Sequence, residues 1–290
     1  MAQVEWGSEQ LRQSDATRGR ANPIDRRGFF LGLAFLAAAN GLCGAVVAAI
    51  NRSGWWDALF NTFDVSAIVW FSCAAGVALL AADAPPQRLT KLEIGVGLGC
   101  LLLIFLPIGP TSWLALTVLC GFLLLRPGLS AAQRRGALIL LATTLTMLWS
   151  RLFFQAFASS ILTADAALVG WLVGTPRIGN MIQFVNGPGY LVIFPACSSL
   201  ANMSLAVLCW VALAQLVDHR WSRVDLAWCA LACVVVIAIN VTRMSLMAIS
   251  LDTYEAIHGN AGELISNFLF LGAVVGVCLI GFRHELFPPA

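Results

Sequence analysis

Residues Cys197–Val217 read CSSLANMSLAVLCWVALAQLV, one uncharged run that stops at Asp218. A membrane crossing needs about 20 mostly apolar residues, so the run predicts a transmembrane helix. Directly before it stands Asn186–Ala196, NGPGYLVIFPA: a turn, a short β-prone stretch and a proline. Proline suits the first turn of a helix, so Pro195 predicts a helix start with Cys197 in its first turn. A helix N-terminus carries partial positive charge and unpaired N–H groups. Both favour a thiolate, which makes Cys197 a candidate nucleophile.

The rest of the chain has the same character. Of 290 residues, 59% are hydrophobic and 11% charged, and the mean hydropathy is +0.84. Soluble domains carry about 25% charged residues, so the sequence predicts an integral membrane protein. A net charge of +2, with arginines scattered among loops, excludes a nucleic-acid binder. Eight of the nine cysteines lie inside apolar runs, where cysteine behaves as a small hydrophobe. Cys229 and Cys233 stand one helical turn apart without a second pair or a nearby histidine, so no zinc site is expected. No metal or organic cofactor is implied.

Outward from Cys197, the apolar runs predict eight transmembrane helices: Gly28–Ile50, Val65–Ala82, Leu92–Leu106, Ser112–Leu125, Gly136–Phe154, Cys197–Val217, Leu226–Ser245 and Leu264–Phe282. The third and fourth are short and could instead form one re-entrant hairpin. Residues 1–27, polar and arginine-rich, read as a disordered cytoplasmic tail, and 28–290 as a single transmembrane domain. With eight spans, all but Arg52, Arg151, Arg177 and Arg243 of the 17 basic residues fall on one side. The positive-inside rule makes that side cytoplasmic. Both termini are then inside, and Cys197 opens its helix on the outer face of a cytoplasmic membrane. Between the fifth and sixth spans, Ala156–Val173 reads as a separate helix. Asn186-Gly187, set between Arg177–Val185 and Tyr190–Ile193, signals a β-hairpin. The expected fold is thus an all-α polytopic bundle with a small outer-face cap of one short helix and a possible hairpin.

Two further residues come to the same face. Arg243 lies about 26 Å along the span that opens at Leu226, at 1.5 Å per residue. An ionisable residue within a span defaults to a functional candidate; the plainer alternative is an arginine snorkelling to the interface. Asn240, one turn deeper on the same face, favours a site. His258 falls in the loop between the last two spans, with Asp252, Glu255 and Glu263 near enough in sequence to orient it. A cysteine–histidine pair is a standard arrangement for making a thiolate and protonating a leaving amine.

Three motifs stand in order: Ala196-Cys197-Ser198-Ser199, Asn240-Val241-Thr242-Arg243 and His258-Gly259-Asn260-Ala261-Gly262. Together they resemble the exosortase/archaeosortase family of membrane cysteine transpeptidases. The resemblance covers roughly 136–282, and Ser199 departs from the glycine common at that position. It implies that Cys197 attacks a scissile carbonyl and forms a thioester. It also implies that His258 handles protons and that Arg243 stabilises the oxyanion or thiolate, or positions substrate. Asn240, Ser198 and Ser199 would support the site. The partners implied are membrane-anchored proteins ending in a short motif, a transmembrane helix and a basic tail. A cysteine protease with water as acceptor is the nearest alternative. A transporter or assembly scaffold is the non-catalytic one. A transporter should show mid-span polar residues and broken helices in matching halves; Asn40 and Asn202 stand isolated, and no repeat is visible.

Overall fold

Helix starts in this chain are written in short polar signals. Thr90 and Glu93 form a reciprocal capping box at the head of one helix, and Ser130 and Gln133 do the same for the next but one. Ser198 accepts from the Leu200 N–H, and Ser250 from the Thr253 N–H. In the computed structural model, which describes residues 25–82 and 87–283, these signals open a mostly helical protein. Its helices are α1 (Arg26–Ser53), α2 (Trp55–Phe60), α3 (Ala67–Leu80), α4 (Lys91–Phe105), α5 (Thr111–Leu125) and α6 (Ala131–Val173). After three short strands come α7 (Ser199–Leu216), α8 (Arg223–Met247), α9 (Leu251–His258) and α10 (Asn260–Gly281). The expected tail lies outside the described residues up to 24; Arg26 and Arg27 belong to α1.

The expected count of eight crossings is corrected. Among the described residues five helices are long and apolar enough to span a bilayer: α1, α6, α7, α8 and, from Gly262 on, α10. The chain is therefore membrane-embedded. α3 has 14 residues, and α4 and α5 have 15 each. At 1.5 Å per residue they reach only about 21–23 Å, short of a hydrocarbon core of about 30 Å.

The separate cap helix is corrected as well. Ala156–Val173 is the far part of α6, which extends for 43 residues and is kinked at Phe157. Neither glycine nor proline occurs between Gly136 and Gly170 to stop it. A π-helical turn at Leu145–Trp149 and a bend at Phe157 (φ −122°, ψ 18°) are absorbed within it. The helix ends where Gly174 adopts φ 72°, with its N–H bonded to the Gly170 carbonyl.

No clear hairpin cap with a two-residue turn on Asn186-Gly187 is formed. The strands are only two or three residues long: β1 (Arg177–Ile178), β2 (Met181–Gln183) and β3 (Tyr190–Val192), antiparallel in the order β1-β2-β3. β2 and β3 pair over three residues only, across the six-residue connection 184–189. The chain from Phe184 to Gly189 bulges away to reach another element. The Val185 and Asn186 N–H groups bond the Ala248 and Ile249 carbonyls at the end of α8. A two-residue turn would leave no backbone to make those bonds.

Two hydrophobic clusters result. The larger fills the bundle, where Phe30, Leu116, Leu140 and Trp210 are buried. Small residues let its helices approach closely: a Cβ on Gly136 would meet the Gly76 carbonyl oxygen at 2.6 Å. Asn40, isolated in the sequence, bonds the Ile104 carbonyl (2.7 Å) and Ser112 Oγ (2.9 Å), pinning the turn between α4 and α5. The smaller cluster joins the far end of α6 (Leu162, Val169), the strands (Ile182, Leu191) and the end of α8 (Met244, Met247). Cys197 packs against this second cluster.

Candidate functional site

Cys197 lies one residue before the N-cap of α7, not in the helix's first turn. Pro195 to Cys197 form a 3-10 turn, in which the Cys197 N–H bonds the Phe194 carbonyl at 2.9 Å. Ser198, which is buried, is the N-cap residue. A serine caps better than a cysteine, so the helix starts at Ser199 and pushes the thiol back by one position. The result is a half-buried, free thiol at the mouth of the helix's N-terminal field.

Two buried polar residues brace this turn. Asn240, 1% exposed, donates through Nδ2 to the Cys197 carbonyl (2.8 Å) and to Ser199 Oγ (3.0 Å). Asp165, 5% exposed and on the far end of α6, accepts from the Ser199 N–H at 3.1 Å. A carboxylate at a helix start gains from the unpaired N–H groups and the helix dipole. The sequence reading gave Asp165 no role. A usable signal was present, because it is an acid inside an apolar helical run; the bond itself joins α6 to α7 and leaves no local trace. Ser199 also accounts for the departure from glycine: its hydroxyl is one of the two acceptors on Asn240.

His258 is the last residue of α9, not a loop residue. It lines one cleft with Cys197, together with residues of β3, Met244 and Met247 of α8, and Tyr254. Its ring stacks on Tyr254, with centroids 5.0 Å apart and 20° between planes. Asp252, Glu255 and Glu263 are exposed, and no carboxylate hydrogen-bonds His258 among the described residues. The glycine that closes the third motif has a steric reason: a Cβ at Gly262 would run into the Ile257 backbone. That close approach seats α9 against the head of α10 and fixes where His258 stands.

Arg243 is on α8 between Asn240 and Met247, but it is not among the residues lining the cleft. Its Nε is buried without a hydrogen-bond partner among the described residues. A buried guanidinium N–H without an acceptor costs free energy, so this is a donor left over by the folded chain. The other intramembrane candidate, Arg151, is exposed on α6. Among the described residues no group of three or more His, Cys, Asp and Glu side chains could hold a metal ion.

The arrangement can support nucleophilic chemistry: a thiol at a helix mouth, an imidazole in the same cleft, and a spare cationic donor on the adjoining helix. No family model, curated protein or solved structure matches the chain.

Proposed function

We propose that this chain is a membrane-embedded cysteine protease or transpeptidase of the exosortase type. It removes a C-terminal sorting signal, made of a short motif, a transmembrane helix and a basic tail, from exported membrane-anchored proteins. The observation that carries the reading is that Cys197 and His258, from separate elements, line one cleft. His258 takes the Cys197 thiol proton as the sulfur attacks the scissile carbonyl, whose oxygen becomes an oxyanion. As the C–N bond breaks, His258 gives that proton to the leaving amine and a thioester remains. Water, or an acceptor nucleophile, then attacks the thioester and loses its proton to His258, which passes it to the departing Cys197 sulfur and so restores the thiol. Arg243 supplies positive charge for the oxyanion or for the substrate; its unpartnered Nε supports that role.

The proposed setting is the cytoplasmic membrane, with the cleft on the outer face. α7 starts beside Cys197 and ends beside His219, Arg220 and Arg223. The positive-inside rule favours the cytoplasm for the basic end. The test is a chromosomal Cys197→Ala substitution in the native host, at matched protein level, with C-terminal peptides of membrane proteins read by mass spectrometry. Retained tails are expected. Tails removed as in the wild type would overturn the reading. In the wild type, a free C-terminal carboxylate marks hydrolysis and an added mass marks transfer.

A further inference from the structure

Among the described residues β3 is an edge strand. Its register with β2 pairs Met181 with Val192, Ile182 with Leu191 and Gln183 with Tyr190. In an antiparallel pair only alternate residues direct their N–H and C=O groups at the partner. The Ile193 N–H bonds the Asn180 carbonyl, and the Gly189 carbonyl accepts from the Phe184 N–H. Residues 189, 191 and 193 therefore face β2, and the backbone groups of Tyr190 and Val192 face the open edge. The Cys197–His258 cleft touches Leu191, Val192, Ile193 and Phe194 in succession. Side chains alternate between the faces of a strand, so a cleft reaching four consecutive residues follows the edge and not one face. The strand then leads straight into the turn that holds Cys197.

We propose that the substrate segment before the scissile bond binds as an added strand on the open edge of β3. The proposal rests on the cysteine-peptidase reading above. Val192 supplies a backbone donor and an acceptor, as in other strand-addition complexes. Cys197 lies beyond the C-terminal end of β3, so a segment whose last carbonyl reaches it runs parallel to β3. The leaving segment continues into the substrate's own membrane helix and does not use the edge. Leu191, Ile193, Met244 and Met247 make the cleft apolar, and His258 is its one ionisable side chain besides Cys197 and Tyr254. The occupant is thus an extended, uncharged peptide with small or apolar side chains. Methionine side chains are unbranched and adaptable, which suits a cleft that must open to admit a strand.

The experiment uses the full-length protein in detergent and a tetrapeptide chloromethyl ketone with apolar side chains. Cys197 sulfur displaces chloride from the ketone to give a thioether, quantified by peptide mass mapping. Each backbone amide of the reagent is N-methylated in turn, and iodoacetamide serves as a reagent with no peptide backbone. The expected result is a period of two: methylation at alternate amides slows labelling by about tenfold, the worth of one hydrogen bond. Val192→Pro, which removes an outward N–H at an edge position that tolerates proline, should slow the unmethylated reagent by a similar factor. Iodoacetamide labelling should be unchanged in that variant. Labelling insensitive to methylation, or slowed equally at every amide, would overturn strand addition, because the reagent itself leaves the protein unaltered. Reaction with iodoacetamide but not with any peptide ketone would overturn it too, leaving the catalytic reading intact. A Cys197 inert to both would bring down the catalytic reading and this proposal with it.

Discussion

A histidine stands near each end of the paired helices α7 and α8, one in the loop between them and one on α9, and the two are held in opposite ways. At one end His219 Nε2 sits 2.8 Å from Asp225 Oδ1, with side-chain exposures of 14% and 5%. The Asp225 carboxylate also accepts from the Ser222 N–H at the head of α8, and the His219 ring stands edge-on to Phe282, 5.1 Å away. That histidine is a fastener: it ties the loop after α7 to the start of α8. At the other end His258 is exposed, rests on the Tyr254 ring and faces the cleft that holds Cys197. On the proposed reading, the histidine held by a carboxylate is the structural one. A proton carrier must exchange its partner during the reaction, and a histidine held by a buried carboxylate is poorly placed to do so.

The largest expected effect separates the ends outright. Cys197→Ala should abolish tail removal without lowering the melting temperature, because a half-buried thiol becomes a methyl group. Cys197→Ser should be nearly as inactive, since a hydroxyl is a far weaker nucleophile without a strong base. Next comes the histidine exchange. His258→Ala should reduce the rate of tail removal by about 10²–10⁴-fold, the range for a general acid–base group, and leave thermal stability alone. His219→Ala should do the reverse, destabilising by about 1–3 kcal/mol through the unpaired Asp225 carboxylate while activity at low temperature persists. Equal losses of activity in both variants would break the comparison.

Arg243→Lys sharpens it further. It keeps the charge but replaces a planar fork with a point charge. A directed hydrogen bond from Nε to the oxyanion would then be lost, for a fall of about 10²-fold. Wild-type rates in this variant would show that Arg243 acts through charge alone. The smallest effect belongs to the brace. Asp165→Ala leaves the buried Ser199 N–H without an acceptor, which should cost about 1–3 kcal/mol of stability. Asp165→Asn keeps an oxygen acceptor and should recover most of it. If both variants melt like the wild type, Asp165 does not hold the Cys197 turn.

Much of the fold was legible because its signals are local. The caps at Thr90, Ser130, Ser198, Ser222 and Ser250 are side-chain bonds across two or three residues, and they mark helix starts within a short window of sequence. The sequence reading put Cys197, Arg243 and His258 on one membrane face through its span count; Cys197 and His258 line one cleft, and Arg243 is not among the residues lining it. What failed was inference from polarity. A span was expected to end at Phe154, yet α6 continues past a kink at Phe157, since no glycine or proline stands there to stop it. The crossing count failed because hydropathy registers an apolar helix without asking whether it is long enough to cross. Asn186-Gly187 misled because its backbone bonds go to α8, a partner far away in sequence. Asp165 escaped for the same reason, because its bond to the Ser199 N–H crosses from α6 to α7.

The π-helical turn at Leu145–Trp149 gives α6 a kind of slack. Such a turn takes up one residue more than an α-helical turn does, so the faces before and after it keep their directions while the count along the chain slips by one. Thr146, inside the turn, bonds the Ser204 carbonyl of α7, and Asp165, well beyond it, bonds Ser199 of the same helix. Removing one residue from the turn would straighten α6 and still leave Asp165 pointing at Ser199. Removing one residue between Phe157 and Asp165, past the π-helical turn, would swing Asp165 about 100° around the helix axis and away from the turn that carries Cys197. Two deletions of equal size in one helix should therefore differ in outcome, the first keeping tail removal and the second losing it.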